Sequence, residues 1–105
     1  MKILRQGDVL LIAISEIPND TQDITPKKGR IVLQHGEVTG HAHAFYDNTQ
    51  NINLRSGGSG VRYLEVKSDA ELLHEEHSTV QVPAGKYLLP TQVEYTPAAL
   101  RQVDD

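Results

Sequence analysis

Two short groups of histidines are the residues here best suited to chemistry: His41-Ala42-His43 and His74-Glu75-Glu76-His77. A neutral imidazole offers a lone pair near neutral pH, and a protonated one offers an acid. A His-x-His pair on an extended segment turns both rings to one face, because side chains alternate along a strand. A His-x-x-His pair gathers its rings on a helical turn, where residues three apart are neighbours. On a strand the same two rings diverge. If the groups face each other, four imidazoles and one or two carboxylates converge. Two chemistries use such a set. In one, a divalent ion such as zinc is held by three histidines, His41, His43 and His77, or by histidine plus carboxylate, with an open position for activated water. In the other no metal is needed: the ligand sits over His41, His43 and His77, His41 and His77 share the acid and base roles, and Glu76 fixes a tautomer. The residues alone favour neither. A lone histidine is usually solvated or structural, but four of the five fall in these two groups, with His35 left over.

Further residues are expected to shape a ligand pocket. Glu37 and Thr39 stand just before His41, and His74 opens the second group. Tyr87 lies in an apolar strand, and Gln92, Glu94 and Tyr95 make a dense polar group in the last one. Gln92 and Glu94 share a strand face, suited to holding a base or sugar and orienting an imidazole. Each has a plainer reading, as turn chemistry around Gly36 and Gly40 or as a solvated sheet face. The Ser56-to-Gly60 loop has backbone N–H groups for an anion. It lacks the lysine and following helix of a phosphate loop, so it reads as a hairpin tip.

The elements that must position these groups are short and β-like. Gly7-Asp8 precedes Val9–Ile14, a run apolar on both faces that reads as a central strand. A polar loop from Glu16 to Lys28 carries Pro18, Asn19, Asp20, Asp23 and Pro26. Further strands are expected at Arg30–Gln34, Thr39–Asp47, Ile52–Arg55 and Val61–Val66. Ala70–Leu73 is undecided between strand and helical turn. Thr79–Val82 and Lys86–Leu89 flank a Pro83-Ala84-Gly85 turn, and Gln92–Tyr95 is the last strand. Thr96-Pro97 can start a short C-terminal helix, Ala98–Val103. The expected fold is mainly β: a small barrel or sandwich of six to eight short strands, forming one domain over residues 1–105.

Composition narrows the function. Among 105 residues there is no cysteine, which excludes disulfides and thiolate metal sites and suits a cytoplasmic protein. The N-terminus does not read as a signal peptide, and Val9–Ile14 is too short to span a bilayer. The net charge is −4. Without a basic stripe, a long nucleic acid is a poor partner; a small ligand, such as a nucleotide, needs only a few local cations. Edge strands make a homodimer the simplest assembly.

Arg5-Gln6-Gly7-Asp8-Val9-Leu10, Gly36-Glu37-Val38-Thr39-Gly40-His41-Ala42-His43, His74-Glu75-Glu76-His77, Pro83-Ala84-Gly85-Lys86-Tyr87 and Gln92-Val93-Glu94-Tyr95-Thr96-Pro97 together resemble a family of short bacterial and phage proteins. The likeness spans nearly the whole chain except the Glu16–Lys28 loop and the Ser-Gly tip. It implies a compact bacterial or phage gene product, working in the bacterial or host cytoplasm, and brings no activity with it. A phage origin would make a nucleotide signal of host defence a suitable target. His77-Ser78-Thr79 is also similar to the His-x-Thr of two-histidine phosphoesterases, but the chain is shorter and its other group reads His-x-His. The resulting expectation is a small hydrolase that cleaves a phosphodiester in a nucleotide or cyclic nucleotide. The alternative is a binding module that holds a metal ion or sequesters a nucleotide without turnover.

Overall fold

The computed structural model describes residues 2–36, 38 and 40–90. The expected strand at Gln92–Tyr95 and helix at Ala98–Val103 lie outside the described residues. Ten short strands are present: β1 (Ile3–Gln6), β2 (Val9–Ile14), β3 (Gln22–Asp23), β4 (Ile31–His35), β5 (Ala42–Phe45), β6 (Ile52–Ser56), β7 (Arg62–Val66), β8 (Ala70–Leu72), β9 (Val80–Val82) and β10 (Gly85–Leu89). The mainly β expectation holds, with more strands than the six to eight expected. Single 3₁₀ turns at Thr49–Asn51 and Gly58–Gly60 are the described helical pieces.

Six strands form one antiparallel sheet in the order β1-β2-β10-β7-β6-β3. Among the described residues it stays open, with β1 and β3 at its edges, and no barrel closes. Two hairpin pairs, β4-β5 and β8-β9, make smaller sheets. Val9 and Leu11, Leu54 and Leu64, and Tyr87 and Leu89 are buried in the large sheet. They recur at every second position or face each other across strands, as the strand period requires. These residues join Ile31, Leu33, Phe45, Ala70, Leu72 and Val82 from the small sheets in one apolar core. The result is closer to a sandwich than to a barrel.

Two strands were not expected. β1 follows Met1-Lys2 and pairs with β2 from Ile3↔Ile12 to Gln6↔Val9, so Gly7-Asp8 is a two-residue hairpin turn. Gly7 has φ +56°, the sign that tight hairpins need at the first turn position and that glycine adopts without strain. β3 interrupts the Glu16–Lys28 loop by pairing with Ser56 and Arg55. Arg55 fixes that loop further by donating to Thr21 Oγ1 and Thr21 O, at 2.6 and 2.7 Å. Ala70–Leu72 is a strand and not a helical turn, because Val80–Val82 supplies its partner.

Candidate functional site

The two histidine groups are brought together by one isolated bridge. Ala44 N–H donates to Leu73 O at 3.0 Å, and Leu73 N–H donates to Ala44 O at 2.9 Å. In that antiparallel register His43 falls opposite His74 and Ala42 opposite Glu75. The Glu75 carboxylate continues the bridge by accepting from Ala42 N–H at 3.0 Å. On its other side β5 pairs with β4, where a bulge between Val32 and Gln34 sets Gln34 opposite His43. Small side chains at Ala42 and Ala44 let the flanking segments approach closely; both are fully buried.

Three rings form the centre. The centroids of His43 and His74 are 4.2 Å apart, those of His74 and His77 4.6 Å, and those of His43 and His77 5.7 Å. One ring nitrogen from each of the three lies within 4.8 Å of the others. His41 stands beside them, its ring edge-on to His74 at 5.9 Å. All five histidines line an open cleft of about 350 Å³, with Gly7, Asp8, Gln34, Gly36, Val38 and Glu76 completing its wall.

His43 is 3% exposed, and its Nδ1 lies 2.8 Å from the Oε1 of Gln6, itself 3% exposed. Burial, chiefly, holds the His43 imidazole below its ordinary range; His74 and His77 add to this, while Asp8 and Glu75 oppose it. His43 is therefore a neutral ring near pH 7, the form that binds a metal or accepts a proton. The Glu75 carboxyl is held down chiefly by the hydrogen bond from Ala42, with His41 and His74 as lesser causes. His74 Nδ1 accepts from Glu76 N–H at 3.0 Å, so its neutral ring carries the proton on Nε2. His41 Nδ1 is 3.0 Å from Glu76 Oε2. The approach is too oblique for a hydrogen bond and leaves that buried nitrogen without a partner. It is an ion pair only when His41 is protonated.

Two glycines make room for the rings. A β-carbon at Gly7 would sit 2.7 Å from His77 Nε2. At Gly36 it would meet His41 Cβ at 3.2 Å and His74 Nε2 at 3.3 Å. The donor set fits a divalent ion with three imidazole ligands and an open side. Tetrahedral coordination at ordinary zinc–nitrogen lengths sets the nitrogens about 3.3 Å apart, so nitrogens now up to 4.8 Å apart would close in by as much as about 1.5 Å. His74 would also release Glu76 N–H, since Nδ1 either takes the metal itself or takes up the proton displaced from Nε2.

A family described as a domain of unknown function (DUF8820) matches residues 5–92. The chain belongs to this family. Its matched span holds all five histidines, Gln6 and both glycines of the cleft, so the site lies within the matched domain. No curated protein and no solved structure matches the chain.

Of the residues expected to act, His41, His43, His74, His77 and Glu76 share this cleft. His41 precedes β5 and does not share its strand with His43; it closes the β4–β5 loop, its N–H on Val38 O and its carbonyl accepting from Gly36 N–H. The His74–His77 group forms bends with no helical turn. The centre gathers His74, expected only to bind ligand, with His43 and His77, and sets His41 on Glu76. Tyr87 does not line the cleft: it is buried in β10, where its hydroxyl donates to Pro83 O at 2.6 Å. Glu37, Thr39, Gln92, Glu94 and Tyr95 lie outside the described residues. Sequence reasoning passed over Gln6, Asp8, Gln34 and His35 as site residues. The Gln6-Gly7-Asp8 turn and the His35–Gly36 strand end were the available signals.

Proposed function

We propose that this chain is a small metal-dependent hydrolase whose ion is held by His43, His74 and His77. The observation that carries this reading is the convergence of three ring nitrogens within 4.8 Å at the wall of an open cleft. A divalent ion bound there supplies Lewis acidity and an activated water. The chain's own residues do the rest. His43 offers a neutral ring locked in place by Gln6. His41, with the Glu76 carboxylate beside it, is placed to take a proton from the incoming water and return it to the leaving group. The cleft volume is at the small end for ligand sites, which suits a ligand of nucleotide size better than a polymer. We assign a phosphodiester as the bond cleaved. No lysine or arginine is among the described lining residues, so the ion would have to balance its charge. A bacterial or phage setting, with a nucleotide signal as target, rests on the sequence resemblance alone.

A second reading keeps the same cleft without metal. Its support is the tautomer of His74, which presents an Nε2–H donor beside the neutral ring of His43, an acid next to a base. One experiment separates the two. Protein purified without a polyhistidine tag is analysed for metal, then incubated with linear nucleotides and cyclic dinucleotides, with and without chelator, beside His77→Ala. The metal reading expects about one ion per chain and turnover that chelator abolishes and Zn²⁺ restores. Turnover that survives chelation supports the metal-free site. Bound metal with every substrate intact makes the protein a binding module.

A further inference from the structure

We infer that Gln6 is the positioning residue of the site: it dictates which nitrogen of His43 is offered to the cleft, and through it the affinity for metal. The inference rests on the reading of His43 as a ligand, and its first test does not depend on any metal. Gln6 closes β1 and is buried, yet it carries a primary amide with two N–H donors and an acceptor oxygen to satisfy. Its Nε2 donates to Leu72 O at 2.8 Å and to Ser78 O at 2.9 Å. Both amide hydrogens are thereby used on carbonyl oxygens, which can only accept. A flipped amide would set its oxygen against those two carbonyls, so the orientation is determined by the network.

With the amide fixed, Oε1 faces His43 Nδ1. An amide oxygen cannot donate, so Nδ1 must carry the hydrogen and the neutral ring keeps its lone pair on Nε2. Outer partners of this kind fix ring orientation and tautomer, and raise the basicity of the ligating nitrogen. Gln6 does this across large sequence distances, being 37 residues from His43, 66 from Leu72 and 72 from Ser78. Leu72 and Ser78 bracket the His74–His77 segment. The same side chain therefore sets the His43 tautomer and holds both ends of the segment that brings the other two rings.

The test begins with the metal-free wild type. Nitrogen-15 chemical shifts of the imidazoles distinguish the tautomers, and His43 is expected in the Nδ1–H form. An Nε2–H form, or an averaged shift, would overturn the inference whether or not the protein binds metal. Two substitutions then separate positioning from packing. Gln6→Glu keeps an oxygen on His43 Nδ1 in either protonation form but loses at least one of the two donations to carbonyls. Gln6→Met keeps much of the volume and loses all three bonds. Positioning predicts Zn²⁺ affinity close to wild type for Gln6→Glu and ~10–100-fold weaker for Gln6→Met, even though both variants melt at lower temperature. If affinity instead falls in step with melting temperature in both, Gln6 is only a packing residue and the inference fails.

Discussion

His43 and Tyr87 are both buried mid-strand polar side chains, one in β5 on the small sheets and one in β10 in the large sheet. Their polar atoms meet different fates. The Tyr87 hydroxyl has one hydrogen to give and gives it to Pro83 O, four residues away. His43 has two nitrogens, and Gln6 occupies one of them. The other remains for the cleft. A buried polar group whose bonds are all made within the fold serves stability. One held firmly on one side and left unpartnered on the other serves chemistry. The same contrast separates the regions around them: the large sheet is built of regular antiparallel pairings, while the site is assembled by a bulge, an isolated bridge and a buried amide.

Four measurements probe this contrast, beginning with the largest effect. Tyr87→Ala should cost about 3–5 kcal/mol in urea unfolding, as large aromatic truncations in cores do. Tyr87→Phe should cost only about 1–2 kcal/mol and leave Zn²⁺ affinity intact; a loss of affinity in Tyr87→Phe would place Tyr87 in the site after all. His77→Ala should do the reverse. The residue is exposed, so stability should stay within about 0.5 kcal/mol, while titration calorimetry should show Zn²⁺ affinity reduced by about two orders of magnitude, the scale of a lost ligand. Gly7→Ala should cost about 1 kcal/mol for its positive φ. It should also weaken Zn²⁺ binding by pushing His77 aside, and an unchanged affinity would show that the turn does not shape the site.

The smallest effect is in pH. The imidazole of His43 is depressed in the folded state, so the unfolded chain takes up that proton first as pH falls. Stability of the metal-free protein should therefore decline below about pH 6.5, the ordinary imidazole value, until the folded-state value is passed. The Glu75 carboxyl is also depressed, and its contribution is present above the ordinary carboxyl value and lost as pH falls through the folded one. Urea unfolding between about pH 7.5 and 5 measures the first effect. A slope unchanged in His43→Gln would show that His43 is not its source.

Much of the sheet was legible because its signals are local. Val9–Ile14, Arg30–Gln34, Ile52–Arg55 and Val61–Val66 announce themselves by apolar or alternating runs between glycine and proline, and all are strands. β1 and β3 were hidden because their residues are polar or few, and only their partners, β2 and β6, make them strands. In the site, the histidine groups were legible by type and spacing. Their meeting was not, since it depends on the pairing of Ala44 with Leu73, two apolar residues with no chemical signature. Gln6 was harder still: a glutamine beside a turn looks solvated until its three distant partners are known. Tyr87 misled for the opposite reason, because a polar tip in an apolar strand fits a pocket wall and a core equally well.

The Ala44–Leu73 bridge has a last consequence. It joins two stretches separated by about thirty residues, and an ion shared by His43 and His74 would tie the same two stretches a second time. Closing a loop of that length removes much of the freedom of the denatured chain, as a covalent crosslink does. In a protein without cysteine, such an ion would act as a detachable staple, and chelation would loosen the fold as well as empty the cleft.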